Sequence, residues 1–369
     1  MTGSPGAPAN AAAAPVTVTG VAQQQAWRAR ELPPVEQVTP GVWSVPVTIP
    51  DNPLRYTLSY LLLADSGVVV VDPGWESDTG WSDLQRGLAA ARVSADRITG
   101  IVVTHVHLDH HGLSRRLSEA SGAWIAMHAE EVHALPARIG ETVGPDGGRA
   151  WLARCGAPEE MMAEFNADLA DTLGIFRLAD PDVLLQDGET LDFPGRRIRV
   201  VWTPGHTPGH ICLHDAEYDL LLTGDHLLPR ISPNIGIFPG GLKSPLTSYL
   251  DSLRAMPEFD AAEALPAHEY RFRGIAARSR DIARHHDARA REVLDIVAAA
   301  GQPTIWAVTE RLTWSRTWDE ITGFMRRAAL AETHAHAEYL QREGRLLIHP
   351  GSPGEPDRLQ IPRHGNPGA

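Results

Sequence analysis

Short apolar runs rich in β-branched residues alternate with polar breaks that contain Gly or Pro over the first two thirds of the chain. Runs of this length, several with period-two alternation, predict β-strands. Two of them, at residues 58–63 and 68–71, flank Asp65-Ser66-Gly67 and predict a hairpin. Further strands are predicted at residues 42–47, 101–103, 124–127, 183–185, 198–202, 211–214 and 220–223.

Helical spacing interrupts this pattern at residues 81–91, and again over residues 130–180, where a Gly-rich break lies at 144–148. The longer stretch predicts a helical insertion that could cap a site. Beyond Tyr270 the pattern becomes mainly helical, and a short apolar piece follows. Three helices and a small β-piece are typical of a winged-helix-like module. These last elements are predicted at residues 275–300, 304–312, 325–342 and 346–348.

These changes of pattern divide the chain into four predicted parts. Residues 1–34 are Ala/Pro-rich and then polar, which predicts a disordered tail. Residues 35–274 form the main domain, residues 275–350 the helical module, and residues 351–369 a flexible Pro/Gly tail. The order of strands and helices in the main domain suits an α/β protein with two packed sheets and helices outside.

Composition narrows the class of protein without identifying it. The chain has 369 residues, of which 43% are hydrophobic and 21% charged, as in an ordinary globular protein. The sequence has no run of about 18 apolar residues, so no membrane span is predicted. The first residues lack the features of a signal peptide. The net charge of −13 disfavours non-specific binding to nucleic acid. Two cysteines, Cys155 and Cys212, are too few for a disulfide framework, so a cytoplasmic location is the simplest expectation.

Four residues with metal-binding side chains lie within six positions, directly after the strand predicted at 101–103: His105, His107, Asp109 and His110. In an extended or loop backbone, residues two apart project to the same side, so His105 and His107 could face one metal ion together. The loop could then present Asp109 and His110 to a neighbouring ion. Imidazole nitrogens and carboxylate oxygens are ligands that Zn²⁺ accepts. A single histidine is more often structural, but this cluster favours a metal site.

Three further segments each place one ligand-type residue at the end of a predicted strand or apolar piece. His206 lies in the sequence TPGHTPGH, Asp225 follows the strand predicted at 220–223, and His268 follows the apolar pair Ala264-Leu265. Gly or Pro residues fix these loops. Ligand loops carried on rigid strands give a preorganised site.

The motifs HxHxDH, PGHTPGH, TGD and PAHE, with Asp72 in VVVVDPG, resemble the five ordered motifs of the metallo-β-lactamase superfamily over residues 38–270. The resemblance implies an αββα sandwich and makes residues 35–274 the catalytic domain. It also implies two metal ions, with zinc as the default and iron or manganese as alternatives. The implied ligands are His105, His107 and His206 for the first ion and Asp109, His110 and His268 for the second, with Asp225 bridging both.

The same resemblance implies catalytic roles for two aspartates. Asp109 could receive a proton from the nucleophile, and Asp72 orders the ligand loop through hydrogen bonds. Two cations about 3.5–4 Å apart can share a water and lower its pKa towards neutrality. The hydroxide formed in this way attacks a carbonyl carbon or a phosphorus atom.

The residues within these motifs narrow the class of substrate that we predict. Zinc β-lactamases of the commonest class carry a cysteine where this chain has Asp225, so penicillin hydrolysis is not expected. The sequences PGHTPGHIC and HEY resemble glyoxalase II-like enzymes, which cleave thioesters, but the segment after Asp225 and the C-terminal region depart from that family. We therefore predict a hydrolase for a thioester, ester or lactone of a small organic substrate. His226, Arg230 and Tyr270 are the candidate substrate-binding residues.

Two other functions remain open from the sequence. A phosphodiesterase or nuclease could use the same two metal ions, and the C-terminal module resembles a nucleic-acid-binding fold, but the acidic charge and the lack of a Lys/Arg-rich arm argue against it. A non-catalytic binding protein is the third interpretation. The predicted partners are a small acyl substrate, neither nucleic acid nor membrane, and a second copy of the chain, bound through the C-terminal module as a homodimer.

Overall fold

The computed structural model describes residues 15–135, 148–161 and 178–362, apart from residues 192 and 194. Most of the described strands form two sheets. The first sheet has seven strands in the order β2-β3-β4-β5-β6-β7-β8. These are β2 (Glu36–Thr39), β3 (Val42–Thr48), β4 (Tyr56–Ala64), β5 (Gly67–Val71), β6 (Ile98–Val102), β7 (Trp124–His128) and β8 (Val183–Leu185).

The second sheet has six strands in the order β1-β13-β12-β11-β10-β9. Strands β11 and β12 run parallel, and the other neighbours are antiparallel. The strands are β1 (Thr17–Val18), β9 (Ile198–Trp202), β10 (Ile211–Asp215), β11 (Leu220–Gly224), β12 (Glu263–Pro266) and β13 (Phe272–Arg273).

Alternation along the central strands places one set of side chains between the sheets and the other beneath the helices. In β5, Val69 and Val71 lie in the core between the sheets, whereas Val68 and Val70 pack on the opposite face. Both faces of the strand are therefore buried, and each such side chain contributes about 1.5–3 kcal/mol to folding. The αββα sandwich that the sequence predicts is confirmed.

Helices cover the outer faces of both sheets. Helix α2 begins after Ser77, whose side chain accepts a hydrogen bond from the Gly80 backbone at 2.9 Å. Helices α2 and α4 pack on the first sheet, and α6 and α7 on the second. The helices are α1 (Val21–Ala29), α2 (Asp78–Ala90), α3 (Leu108–His111), α4 (Ser114–Ser121), α5 (Arg149–Cys155), α6 (Pro245–Ala255), α7 (Ile275–Ala300), α8 (Ile305–Thr309) and α9 (Gly323–Arg342).

The C-terminal region is helical, as predicted, and ends in an antiparallel pair, β14 (Leu347–His349) and β15 (Arg358–Gln360). Its apolar side chains share a core with Leu152 and Cys155 of α5. The comparison with winged-helix modules stays a prediction. No described helix combines the length and apolar character that a membrane span requires.

The predicted disordered tail at residues 1–34 is wrong for residues 15–34, which hold β1 and α1; residues 1–14 lie outside the described part. Gln23 is fully buried, with its amide donating to Ser44 Oγ and accepting from the Arg271 backbone, each at 3.0 Å. A polar residue in a segment of low hydrophobicity thus anchors α1 to both sheets, which composition alone does not indicate.

The predicted flexible tail at residues 351–369 is also wrong as far as residue 362, because β15 pairs with β14 and Leu359 is fully buried. Residues 363–369 lie outside the described part. Of the predicted helical insertion, residues 130–135 and α5 are helical, while 136–147 and 162–177 are not described. The sequence analysis missed α6, which buries Leu246, Leu250 and Leu253 on the second sheet.

Candidate metal centre

The candidate ligands lie on loops that follow strands of both sheets. Helix α3 and the residues before it follow β6 and carry the HxHxDH motif, while the other loops follow β9, β11 and β12. The structure brings all seven predicted ligands together in three overlapping groups, within which the ligand atoms lie no more than 4.8 Å apart. The members are His105, His107, Asp109, His110, His206, Asp225 and His268.

The first of these groups, which we call the first trio, consists of His105, His107 and His206. His107 Nδ1 lies 2.9 Å from His105 Nε2 and 3.1 Å from His206 Nε2. Three imidazole nitrogens therefore converge on one point, which is the arrangement that a tetrahedral cation requires of its nitrogen ligands.

The second trio consists of Asp109, His110 and His268. Asp109 Oδ2 lies 3.3 Å from His268 Nε2 and 3.8 Å from His110 Nε2. Asp225 lies between the two trios. Its Oδ1 is 3.2 Å from His268 Nε2 and 3.6 Å from His110 Nε2, and its Oδ2 is 3.6 Å from His206 Nε2. One carboxylate oxygen thus faces each trio.

Buried polar atoms without a hydrogen-bond partner test whether these residues fit metal ions. Within the described part of the chain, His110 Nε2, His268 Nε2 and Asp225 Oδ1 are such atoms, and all three point into the centre. Leaving a buried polar group unsatisfied costs about 1–3 kcal/mol. A cation accepts a lone pair from each of them, so the donor set fits metal ions.

The charges of the surrounding side chains also favour a cation between the two trios. Burial by itself lowers the pKa of His268, but the carboxylates of Asp225 and Asp109 outweigh burial and raise it to about 10. In the first trio, burial and the neighbouring imidazoles of His110 and His107 hold the pKa of His105 well below its usual value. Asp225 and Asp109 thus attract cationic charge, while His105 offers a neutral nitrogen, the form that binds metal.

Hydrogen bonds on the far side of the ligands fix their orientation. Asp72 accepts from the Thr104 backbone at 2.8 Å and from Thr104 Oγ1 at 2.7 Å, and its Oδ2 lies 2.8 Å from His110 Nδ1. His268 Nδ1 lies 2.9 Å from the Tyr56 carbonyl oxygen. A carbonyl can only accept, so Nδ1 of His268 carries the proton and Nε2 is left to bind metal.

Glu131 is a supporting residue that the sequence analysis missed. Its side chain is fully buried and accepts a hydrogen bond at each oxygen, from the Val106 backbone at 3.0 Å and from the Gly209 backbone at 2.6 Å. Val106 lies between two ligands of the first trio, and Gly209 follows the third. One carboxylate therefore ties together the loops that carry all three ligands. Nothing in the sequence distinguishes Glu131 from an ordinary residue of the predicted helical insertion.

His210 supports the backbone of Asp225. Its Nε2 accepts a hydrogen bond from the Asp225 backbone at 3.1 Å, and its Nδ1 lies 2.8 Å from Thr203 Oγ1. Burial and the nearby imidazoles hold the pKa of His210 well below its usual value, so it stays neutral and able to accept. The turn after β9 and the loop after β11 are thereby held in a fixed position relative to each other.

Glu131→Gln is expected to weaken metal binding at the first trio about 10–100-fold, the range found when a hydrogen-bond partner of a ligand is lost. The amide keeps one accepting oxygen, so one of the two ligand loops loses its partner. Competition with a chromophoric chelator would measure the affinity of each metal ion. The matched control is Glu130→Gln, at the neighbouring exposed carboxylate. Unchanged affinity in Glu131→Gln would contradict the role of this carboxylate.

The three candidate substrate-binding residues differ in exposure. His226 is fully buried against Tyr249, with ring centroids 5.2 Å apart, and burial lowers its pKa to about 3. Tyr270 is buried, with 6% of its surface exposed. The Arg230 side chain is 53% exposed. A substrate contact stays a prediction for all three, and Arg230 is the one that solvent reaches freely.

Comparison with known proteins agrees with this geometry. Residues 52–268, more than half of the chain, match the profile described as Metallo-beta-lactamase superfamily. The crystal structure of the metallo-beta-lactamase family protein TTHA1429 from Thermus thermophilus superposes with a TM-score of 0.72 and 30% identity, covering 88% of this chain and 100% of that one.

Two groups of curated relatives carry named activities. The acyl-coenzyme A thioesterase MBLAC2 of Bos taurus is 31% identical over 150 residues, which are 39% of this chain and 47% of the relative. A hydroxyacylglutathione hydrolase of Synechococcus is 32% identical over 130 residues, 35% of this chain and 50% of the relative. The chain thus spans about half the length of these relatives. From the matched profile, the shared fold and the converging set of candidate ligands, we conclude that this chain belongs to the metallo-β-lactamase superfamily.

Proposed function

We propose that this chain is a two-zinc hydrolase that cleaves a thioester, or a related ester or lactone, of a small organic substrate. The observation that carries the proposal is the position of Asp225, with one oxygen facing each trio. A single carboxylate shared between two nitrogen-rich groups supports two ions side by side, and a lone structural ion would leave the other group unused.

Two metal ions, when bound, would supply a nucleophilic water at neutral pH and polarise the carbonyl of the substrate. The two trios and Asp225 would hold and orient these ions. The first trio offers three imidazole nitrogens, and the second trio adds the carboxylate of Asp109. We propose that Asp109 also takes the proton of the nucleophile. Thr57 Oγ1 donates to the Asp109 carbonyl oxygen at 2.8 Å and so fixes the backbone of this residue.

The preference for a thioester rests on two observations. Both named relatives act on acyl groups carried by a thiol, coenzyme A in one and glutathione in the other. Aspartate at position 225, where the commonest zinc β-lactamases carry cysteine, argues against penicillin as the main substrate. A cytoplasmic location and dimerisation through the C-terminal module remain predictions.

A substrate panel tests the proposal. We expect metal-dependent hydrolysis of at least one acyl-coenzyme A, acylpantetheine, acylglutathione or lactone, with activity lost on chelation and regained with Zn²⁺. Elemental analysis of the purified protein should give close to two zinc ions per chain. Finding iron or manganese instead would change the proposed metal but not the proposed reaction. Hydrolysis of phosphodiesters without any thioester, ester or lactone turnover would replace the proposed substrate class.

A further inference from the structure

Two arginines from distant loops lie against one tryptophan. The guanidinium carbon of Arg55 is 4.0 Å from the centre of the Trp27 ring, and that of Arg230 is 5.9 Å from it. Arg55 Nη2 also donates to the Trp27 carbonyl oxygen at 3.0 Å. Cation–π contacts stabilise such pairs, so Trp27 keeps two positive groups close to each other. We call these three residues the arginine–tryptophan cluster.

The cluster lies beside the second trio. Tyr56, which follows Arg55, receives the hydrogen bond of His268 Nδ1 on its carbonyl oxygen. Glu269, which follows His268, accepts from the Arg230 backbone at 3.1 Å. Each arginine is therefore linked through one short contact to the backbone around the same metal ligand.

Positive charge is in excess in the cluster. Arg55 Nη1 is buried and has no hydrogen-bond partner among the described residues. A carboxylate that faces Arg230 is that of Glu269, with Oε1 3.9 Å from Arg230 Nε. Among the described residues, Glu269 supplies the one carboxylate within 4.0 Å of either guanidinium group, although the chain as a whole carries a net charge of −13.

Strain in the backbone adds to this picture. Arg55 has a φ of +68°, in the left-handed region that costs a residue with a side chain about 1–2 kcal/mol. A strained residue with an unsatisfied buried N–H group is unfavourable for folding alone, and such features concentrate where a ligand binds.

We propose that the arginine–tryptophan cluster binds a phosphate group on the thiol carrier of the substrate. The inference rests on the proposed thioester hydrolysis and names the chemistry of the leaving group. Arginine binds phosphate through paired N–H donors, and Arg230, whose side chain is 53% exposed, presents such donors to solvent beside Arg55 and Trp27. A phosphorylated carrier such as coenzyme A fits this site, whereas pantetheine, which lacks phosphate, does not use it.

Binding of two non-hydrolysable thioethers to the metal-loaded protein tests the proposal. S-methyl-coenzyme A should bind at least about tenfold more tightly than S-methylpantetheine in calorimetry, which corresponds to one charge-assisted contact. Arg230→Ala should weaken binding of the coenzyme A analogue about 5–10-fold and leave the pantetheine analogue unchanged. Arg230 is half-exposed, so this substitution should not disturb folding.

Arg28→Ala is the matched control, because Arg28 is an exposed arginine of the same helix as Trp27. It should change neither affinity. Arg55→Lys keeps the charge but loses the fork of N–H donors, and should show a smaller loss than Arg230→Ala for the coenzyme A analogue alone. Equal binding of the two analogues by the unaltered protein, or equal weakening of both in Arg230→Ala, would overturn the subsite.

Comparing the two carriers, both as substrates and as non-hydrolysable analogues, separates this inference from the proposed function. If thioesters are hydrolysed and KM is the same for acyl-coenzyme A and acylpantetheine, hydrolysis stands and the subsite fails. If the analogues bind with the expected difference and no thioester is hydrolysed, phosphate binding stands and thioester hydrolysis fails.

Discussion

Asp225→Ala is expected to lower the rate of thioester hydrolysis at least about a thousandfold, equivalent to roughly 4 kcal/mol of transition-state stabilisation. Asp225 has one oxygen 3.6 Å from His206 Nε2 and the other 3.2 Å from His268 Nε2. In the proposed two-ion centre, alanine would remove a ligand from both ions at once, and the imidazoles would lose the carboxylate that attracts cations between them. The number of metal ions per chain should fall below two, as measured by elemental analysis after gel filtration.

The control for this variant lies at the other end of the same strand. Asp219 is exposed and immediately precedes β11, and asparagine tolerates its φ of +52°. Asp219→Asn should keep both metal ions and full activity. Asp225→Asn keeps the shape of the side chain but removes its charge, so it should show a similar loss of activity. Circular dichroism would show that this variant is still folded. Activity in Asp225→Ala within tenfold of the unaltered protein would rule out a bridging role.

Removal of the metal ions is expected to abolish hydrolysis and to lower Tm by at least about 5 °C. A ligand present at a thousand times its Kd stabilises the folded state by about 4 kcal/mol, and that contribution disappears on chelation. His110 Nε2, His268 Nε2 and Asp225 Oδ1 then lie buried without partners. Differential scanning calorimetry before and after dialysis against a chelator measures the change.

Readdition of Zn²⁺ should restore both Tm and activity, whereas Mg²⁺, which prefers oxygen ligands, should restore neither. The Glu131→Gln variant offers a useful comparison, because its metal should leave at a lower chelator concentration. A chelated protein with unchanged Tm and unchanged turnover would show that the centre does not hold catalytic metal.

The candidate metal ligands could be found from the sequence because their signal is local. Four ligand-type residues within one loop, directly after a β-branched strand, carry their own chemistry, and the TPGHTPGH, TGD and PAHE segments each repeat the pattern of strand followed by ligand. The strands were predictable for a related reason, since period-two alternation and β-branched runs follow from the geometry of the pleat.

Residues far apart in sequence made the other features unpredictable. Gln23 anchors α1 by a bond to the backbone of Arg271, 248 positions away, so the N-terminal segment resembles a tail until the sheets are assembled. Glu131 reaches Gly209 across 78 positions. Such contacts leave no periodicity in the sequence, because each partner satisfies its own local pattern.

The chemistry of this protein was thus determined by short stretches of sequence, which supply nitrogen and carboxylate ligands in a fixed order along the chain. Only the tertiary structure decided which backbone groups hold those ligands and which cationic groups border them. The physical reason is that a single residue type determines whether a side chain can be a ligand. The hydrogen bonds that support the ligands, and the local excess of positive charge, depend instead on distances between loops. Trp27, Arg55 and Arg230 come into contact only where α1, the residue before β4 and the loop after β11 meet.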